Sequence, residues 1–142
     1  MADVPASRVT YDVKRLESAV RRRLDVICRD VGVSTAQYTA LSVLRSRPGM
    51  SSAQLAERSF IRPQSANQTV AELERLGFIE RAADELNHRI LRTNLTDQGR
   101  LILEACDRAV DRLEEVMFEG VSVAEASALR QVMNRCIRNL SG

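Results

Sequence analysis

The most constraining stretch of the chain is residues 51–96, where three kinds of local signal follow one another with almost no linker. Ser51 and Ser52 stand ahead of Leu55 and Ala56, with Gln54 three residues after Ser51. That spacing is a capping box, and it opens a short helix reaching to about Ser59. Phe60 and Ile61 read as a turn. Pro63 lacks an N–H that a first helical position leaves unpaired in any case, so it starts a second helix, which Gly77 can end in the left-handed conformation. Ala66, Thr69, Val70, Leu73 and Leu76 recur at helical spacing and bury one side. Gln64, Gln68, Ala71 and Arg75 occupy the other, flanked by Ser65 and Asn67.

Glutamine and asparagine donate and accept hydrogen bonds in pairs, which suits adenine edges in a major groove, whereas a solvated face needs only Lys and Glu. Taken alone, the amide-rich face is equally the exposed side of an ordinary helix. The next segment adds a second signal. Phe78 and Ile79 with Arg81 read as a strand, residues 82–88 as a polar tip, and residues 89–95 as a returning strand. In that return Ile90, Arg92 and Asn94 alternate with Arg89, Leu91, Thr93 and Leu95. Two short strands with a charged tip, placed directly after a helix with a reading face, make a winged helix-turn-helix. The expected fold class is mainly α with a small β-hairpin wing.

The flanks are helical. Across residues 10–31, Val13, Leu16, Val20, Leu24, Ile27 and Val31 recur every three or four positions, while Lys14, Arg15, Arg21, Arg22 and Arg29 lie mainly elsewhere. Gly32 can cap this helix, and Ser34 with Gln37 opens another that stops within residues 45–48. After the wing, Thr96 caps a long helix with Leu101, Ile102, Ala105, Ala109, Leu113, Val116 and Met117 on its apolar side, ended by Gly120. Ser122 with Glu125 opens the last helix, which buries Ala126, Leu129, Val132, Met133, Cys136 and Ile137. The terminal helices carry more apolar surface than a small winged unit can cover, so a partner is expected.

Bulk charge decides nothing. The formal charge is +2, and within residues 62–92 the arginines at 62, 75, 81, 89 and 92 are matched by acids at 72, 74, 80, 84 and 85. Only the placement of these charges can argue for nucleic acid. A length of 142 residues and a hydrophobic content of 44% suit one domain with an aliphatic core, since aromatic residues make up 4%. There is no apolar run of about 18 residues and no N-terminal apolar signal region, so the chain reads as cytoplasmic with no membrane partner.

Three places resemble the MarR family of bacterial transcription regulators. Ser34-Thr35-Ala36-Gln37-Tyr38 with Leu41 and Leu44 is similar to the start of the family's second helix. Leu73-Glu74-Arg75-Leu76-Gly77-Phe78-Ile79-Glu80-Arg81 is similar to the end of its recognition helix and first wing strand. Arg89 through Leu95-Thr96-Asp97-Gln98-Gly99 is similar to its second wing strand and fifth helix. The resemblance implies terminal helices (9–33 and 97–142) that interlock across a two-fold axis and a DNA-reading lobe over 34–96. It also implies a homodimer that acts as a repressor on an inverted-repeat operator in double-stranded DNA, released by a small aromatic or anionic ligand. One position departs from the pattern: the family usually has an Asp two residues before the wing arginine, and here Asn87 precedes His88 and Arg89, bringing a hydrogen-bond acceptor without charge.

On this reading Arg62, Gln64, Ser65, Asn67 and Gln68 approach bases, and Ser51, Ser52 and Gln54 hold phosphates through hydroxyl, amide and helix N-terminus. Arg89 with His88 enters the neighbouring minor groove. For the ligand that the resemblance implies between the dimerisation helices and the reading lobe, Tyr11, Arg15, Arg22 and Tyr38 offer guanidinium groups beside an aromatic wall. The alternative packs Tyr38 in the core and leaves the arginines solvated or paired with acids of the fifth helix.

No catalysis, cofactor or metal is expected. The one histidine sits on the wing tip, no nucleophile has a triad, and CxxC, HExxH and glycine-rich phosphate loops are all missing. Cys28, Cys106 and Cys136 read as buried, inert thiols in a reducing compartment. Two rival functions stay open: a thiol-based redox regulator of the same fold, and a winged-helix protein-interaction module that binds no DNA.

Overall fold

The computed structural model describes residues 8–142. Among them six helices and one hairpin follow in the order α1 (Val9–Val31), α2 (Thr35–Ser46), α3 (Ser52–Arg58), α4 (Pro63–Arg75), β1 (Ile79–Ala83), β2 (Leu91–Leu95), α5 (Asp97–Met117) and α6 (Val123–Leu140). The winged helix-turn-helix order is therefore present, and so are its local causes. Ser34, Ser51 and Ser122 each accept the backbone N–H three residues on, and Gln37, Gln54 and Glu125 reach back to accept the cap residue's own N–H. Such reciprocal caps satisfy two otherwise orphaned donors apiece. At the end of α4, Gly77 adopts φ 80°, so that its N–H bonds Glu74 O at 3.0 Å and the Phe78 N–H bonds Leu73 O at 3.0 Å. This closing geometry needs a left-handed residue, which glycine supplies without a Cβ penalty.

Two compact units divide the chain, one up to Ala109 and one from Val110 onward. In the first, Leu41 and Leu44 of α2, Leu55 of α3, Val70 and Leu73 of α4, Ile79, Leu95 and Leu103 form one aliphatic core with Ala40 and Met50. Each fully buried leucine contributes roughly 1.5–3 kcal/mol of transfer free energy. A smaller cluster joins Cys28 of α1, Val33 and Cys106 of α5. Beside it Tyr38 is half-buried, and its hydroxyl donates to Asp107 Oδ1 at 2.8 Å while the Arg45 guanidinium takes the other carboxylate oxygen. Asp107 thereby ties α2 to α5 through two side chains.

The hairpin is antiparallel, with Ile79 opposite Leu95 and Ala83 opposite Leu91. Its tip is shifted from the expectation. β1 runs on to Ala83 and β2 starts at Leu91 rather than at Arg89, because Asp84 and Asn87 organise residues 84–90 as a loop. Asp84 Oδ2 accepts the Asn87 N–H at 3.0 Å, Asn87 Oδ1 accepts the Arg89 N–H at 3.2 Å, and the Asp84 N–H closes the loop on Ile90 O at 2.8 Å. Short polar side chains that bond nearby backbone compete with a strand ladder in this way.

Three burial expectations need correction. On α5 the buried residues are Gly99, Leu103, Cys106 and Ala109, while Leu101 is 66% exposed and Val116 is also exposed. The face is rotated because Gly99 must approach the backbone just ahead of β1: a Cβ there would lie 2.0 Å from Phe78 O. On α6 no residue is buried, and Cys136, Leu129, Val132, Met133 and Ile137 are exposed. An apolar stripe buries only where something packs on it, and none of the described residues covers this one. On α1, Val13 and Leu16 are likewise exposed, and only Cys28 is fully buried.

Two outcomes follow. Gly99→Ala forces a methyl into the Phe78 carbonyl, and urea denaturation should show a loss of about 3 kcal/mol. Burial, followed by its hydrogen bond to the Asp107 carboxylate, raises the Tyr38 pKa above the usual phenol value. A raised folded pKa contributes stability that is present below pH ~10 and lost as pH climbs toward the folded value. Absorbance titration at 295 nm should show a late tyrosinate limb that Tyr38→Phe abolishes.

Candidate nucleic-acid interface

The amide-rich face of α4 is open. Gln64, Asn67, Gln68 and Ala71 are exposed and Ser65 is half-buried, while Ala66, Val70 and Leu73 turn into the core. Side-chain carbonyls and amino groups are thus offered in a row by a helix whose register the core sets. Its N-cap, Arg62, makes no side-chain cap bond, so the amides of the first turn are not capped by a side chain. At the start of α3, Ser51 Oγ and Gln54 Oε1 are used in their own capping box, which leaves the Gln54 amino group and the Ser52 hydroxyl as free donors.

The balanced charge of residues 62–92 resolves into pairs. Arg75 is bidentate to Glu72 within α4, with Nε to Oε2 at 3.0 Å and a terminal nitrogen to Oε1 at 2.5 Å. Arg81 is bidentate to Glu74 at 3.0 Å for both bonds. Arg92 Nε reaches Asp84 Oδ1 at 2.6 Å, and its terminal nitrogen donates to Gly49 O at 2.9 Å. These hydrogen bonds hold the Glu72, Glu74 and Asp84 carboxyls below their ordinary pKa values. Among the described residues, the guanidiniums of Arg62 and Arg89 have no such partner. One stands at the start of α4 and the other, next to the exposed His88, at the wing tip.

Toward the tip of the wing, Arg92 is pinned and Arg89 is not. Asn87 holds the backbone of Arg89 and leaves its side chain loose, while the fixed charge of Asp84 goes to Arg92. Of the anchoring pairs, Glu72 with Arg75 has a helical i,i+3 spacing that sequence displays. Glu74 with Arg81 spans helix and strand, and Asp84 with Arg92 spans the hairpin, so both depend on tertiary register.

Tyr11, Arg15 and Arg22 line one hollow of about 810 Å³ on α1, with Leu16 and Ser18. There the Arg15 guanidinium lies 6.0 Å from the Tyr11 ring centroid and 3.7 Å from Asp12. Tyr38 is elsewhere, packed between the two core clusters with its hydroxyl on Asp107. Burial raises the pKa of the Cys28 thiol and pushes that of Cys106 up to about 11, so both stay protonated near neutral pH. No cluster of three or more His, Cys, Asp or Glu that could hold a metal occurs among the described residues. No described helix is long and apolar enough to cross a membrane.

A sequence profile described as MarR family matches residues 31–90. The HTH-type transcriptional repressor Rv2887 of Mycobacterium tuberculosis is 30% identical over 133 residues, covering 94% of each chain. The uncharacterized HTH-type transcriptional regulator YybA of Bacillus subtilis is 26% identical over 91% of this chain and 89% of its own. The crystal structure of MarR superposes with a TM-score of 0.84 at 20% identity, over 99% of this chain and 96% of that one. The MarR family protein Rv2887 in complex with salicylic acid gives 0.76 at 21% identity over the superposed residues, covering 94% and 99%. A backbone that matches over nearly its full length agrees with a sequence likeness that spans both flanks and the winged helix-turn-helix, and this chain belongs to the MarR family of transcription regulators.

Proposed function

We propose that the protein is a homodimeric, sequence-specific DNA-binding repressor whose reading lobe is residues 34–96. The observation that carries this reading is the distribution of unpaired cations. Three of the five arginines in residues 62–92 are neutralised by carboxylates, and the two left free flank the amide face of α4. Gln64, Asn67 and Gln68 meet base edges, with Ser65 and Arg62 beside them. Ser51, Ser52 and Gln54 hold a phosphate, and Arg89 with His88 reaches the minor groove.

The dimer rests on α1 and α6. Leu129, Val132, Met133 and Ile137 of α6 and Val13 and Leu16 of α1 are apolar and exposed in the single chain, and an 18-residue helix with no buried residue gains little from propensity alone. Covering these stripes with a second copy supplies the missing packing. The likeness to a relative crystallised with salicylic acid supports a small aromatic anion as the releasing ligand. The Tyr11, Arg15 and Arg22 hollow has the matching chemistry, an aromatic ring beside two guanidiniums.

Light scattering at micromolar concentration should give the mass of a dimer, and removal of residues 122–142 should leave unfolded or insoluble chains; a folded monomer after that removal refutes the architecture. Fluorescence anisotropy with DNA from the chain's own upstream region tests the reading face. Gln68→Ala should cost about 1–3 kcal/mol on the preferred site with little change on random DNA. Arg89→Ala should weaken all sequences alike and reduce the salt slope by about one. No binding by the wild-type protein to any duplex would overturn the reading.

A further inference from the structure

The most exposed large apolar side chain among the described residues stands at the tip of the wing. Leu86 is 97% exposed, and Ile90 and Leu91, which close the same loop, are exposed as well. A lone exposed leucine is ordinary on a protein surface, but the setting of this one is not. The loop is built from backbone and short polar side chains: the Asp84 carboxylate accepts the Asn87 N–H at 3.0 Å, is bonded by the Leu86 N–H, and takes Arg92 Nε at 2.6 Å, while Arg92 in turn donates to Gly49 O. The backbone at Leu86 is therefore tied to the body of the lobe, and its side chain adds nothing to the packing of the loop that presents it.

Charge alone gives this tip little hold on a polyanion. Over residues 84–92 the acids at 84 and 85 balance the arginines at 89 and 92, and Asp84 with Arg92 is spent as a pair. That leaves the exposed Glu85 just before Leu86 and the unpaired Arg89, beside His88, just after it. A tip that rested on phosphates alone would carry a basic residue at the apex, where this one carries an apolar side chain. The minor groove, about 6 Å wide, offers a degenerate hydrogen-bond pattern, so sequence is chosen there largely through deformation of the duplex. Apolar side chains do this by entering between stacked base pairs and kinking the duplex, and pyrimidine–purine steps unstack at the lowest cost.

We propose that Leu86 is a specificity-determining wedge: it enters the minor groove of duplex DNA, partly unstacks one base step, bends the duplex there, and so selects pyrimidine–purine steps, TA above all, outside the base pairs that α4 meets. Arg89, on the same loop, holds the tip in the groove, and Leu86 does the deforming. This inference rests on the DNA-binding function proposed above and gives the wing a share in sequence choice that its cations do not supply.

The test uses the full-length protein and a duplex from the chain's own upstream region. Hydroxyl-radical footprinting, which reports protection of the minor groove, locates the steps under the wing; those steps are then replaced with TA or with GG, and a pair of fluorophores on the duplex ends reads the bend. The wild-type protein should bind the TA duplex about fivefold more tightly than the GG duplex and draw the ends of the TA duplex together. Leu86→Ala should bring that ratio to within about twofold and remove most of the bend, and Leu86→Met, which keeps an apolar wedge, should retain both. Because nothing packs on the side chain, Leu86→Ala should melt within about one degree of wild type. Arg89→Ala gives the contrast, weakening both duplexes alike. Minor-groove protection missing at the wing, equal binding of the two duplexes by wild type, or a Leu86→Ala protein that keeps the ratio and the bend would each overturn the wedge while the repressor reading stands; a wild-type protein that binds no duplex overturns both.

Discussion

The wing depends on two residues that belong to neither of its strands. Gly49 and Met50, between α2 and α3, bond Thr93 three times: the Gly49 N–H to Thr93 O at 3.0 Å, the Thr93 N–H to Met50 O at 2.8 Å, and the Thr93 hydroxyl to the same carbonyl at 2.5 Å. Arg92 adds a fourth bond to Gly49 O. A two-stranded hairpin alone is marginal in water, and this junction fixes its base to the core through the fully buried Thr93. Since Leu55 of α3 and Ile79 and Leu95 of the hairpin share one core with Val70 and Leu73 of α4, the helix that carries the amide face and the wing that follows it are held as one body.

Within that body, charge is allotted by geometry. Bidentate pairs lock Arg75 and Arg81 to carboxylates on α4, and Asp84 draws Arg92 to the base of the wing. The free cations remain where chain direction puts them, at the start of α4 and at the loop tip. Near-zero net charge over residues 62–92 is thus compatible with nucleic-acid binding, because long-range affinity depends on which charges are available rather than on their sum.

The exposed apolar residues divide into two kinds. Those of α1 and α6 form stripes on long helices, the surface on which the proposed homodimer rests. Phe60 is a single exposed ring in the left-handed turn between α3 and α4. In both cases the informative feature is apolar surface that the single chain leaves unburied.

Local chemistry was legible from the residues alone. Three capping boxes, Pro63 at a helix start, Gly77 at a helix end and the hydrophobic periodicity of α4 each act within a few residues, so the helices, the hairpin and the exposed amide face follow from sequence. Tertiary structure decided what rests on contacts between distant segments. The buried face of α5 was set by the approach of Gly99 to Phe78, and the strand ends by the loop that Asp84 and Asn87 build. The identity of the pinned wing arginine followed from hairpin register, and the seat of Tyr38 from Asp107, 69 residues away in sequence. Periodicity reports that a helix has an apolar side; which of two apolar faces turns inward depends on the shape of the neighbour it meets.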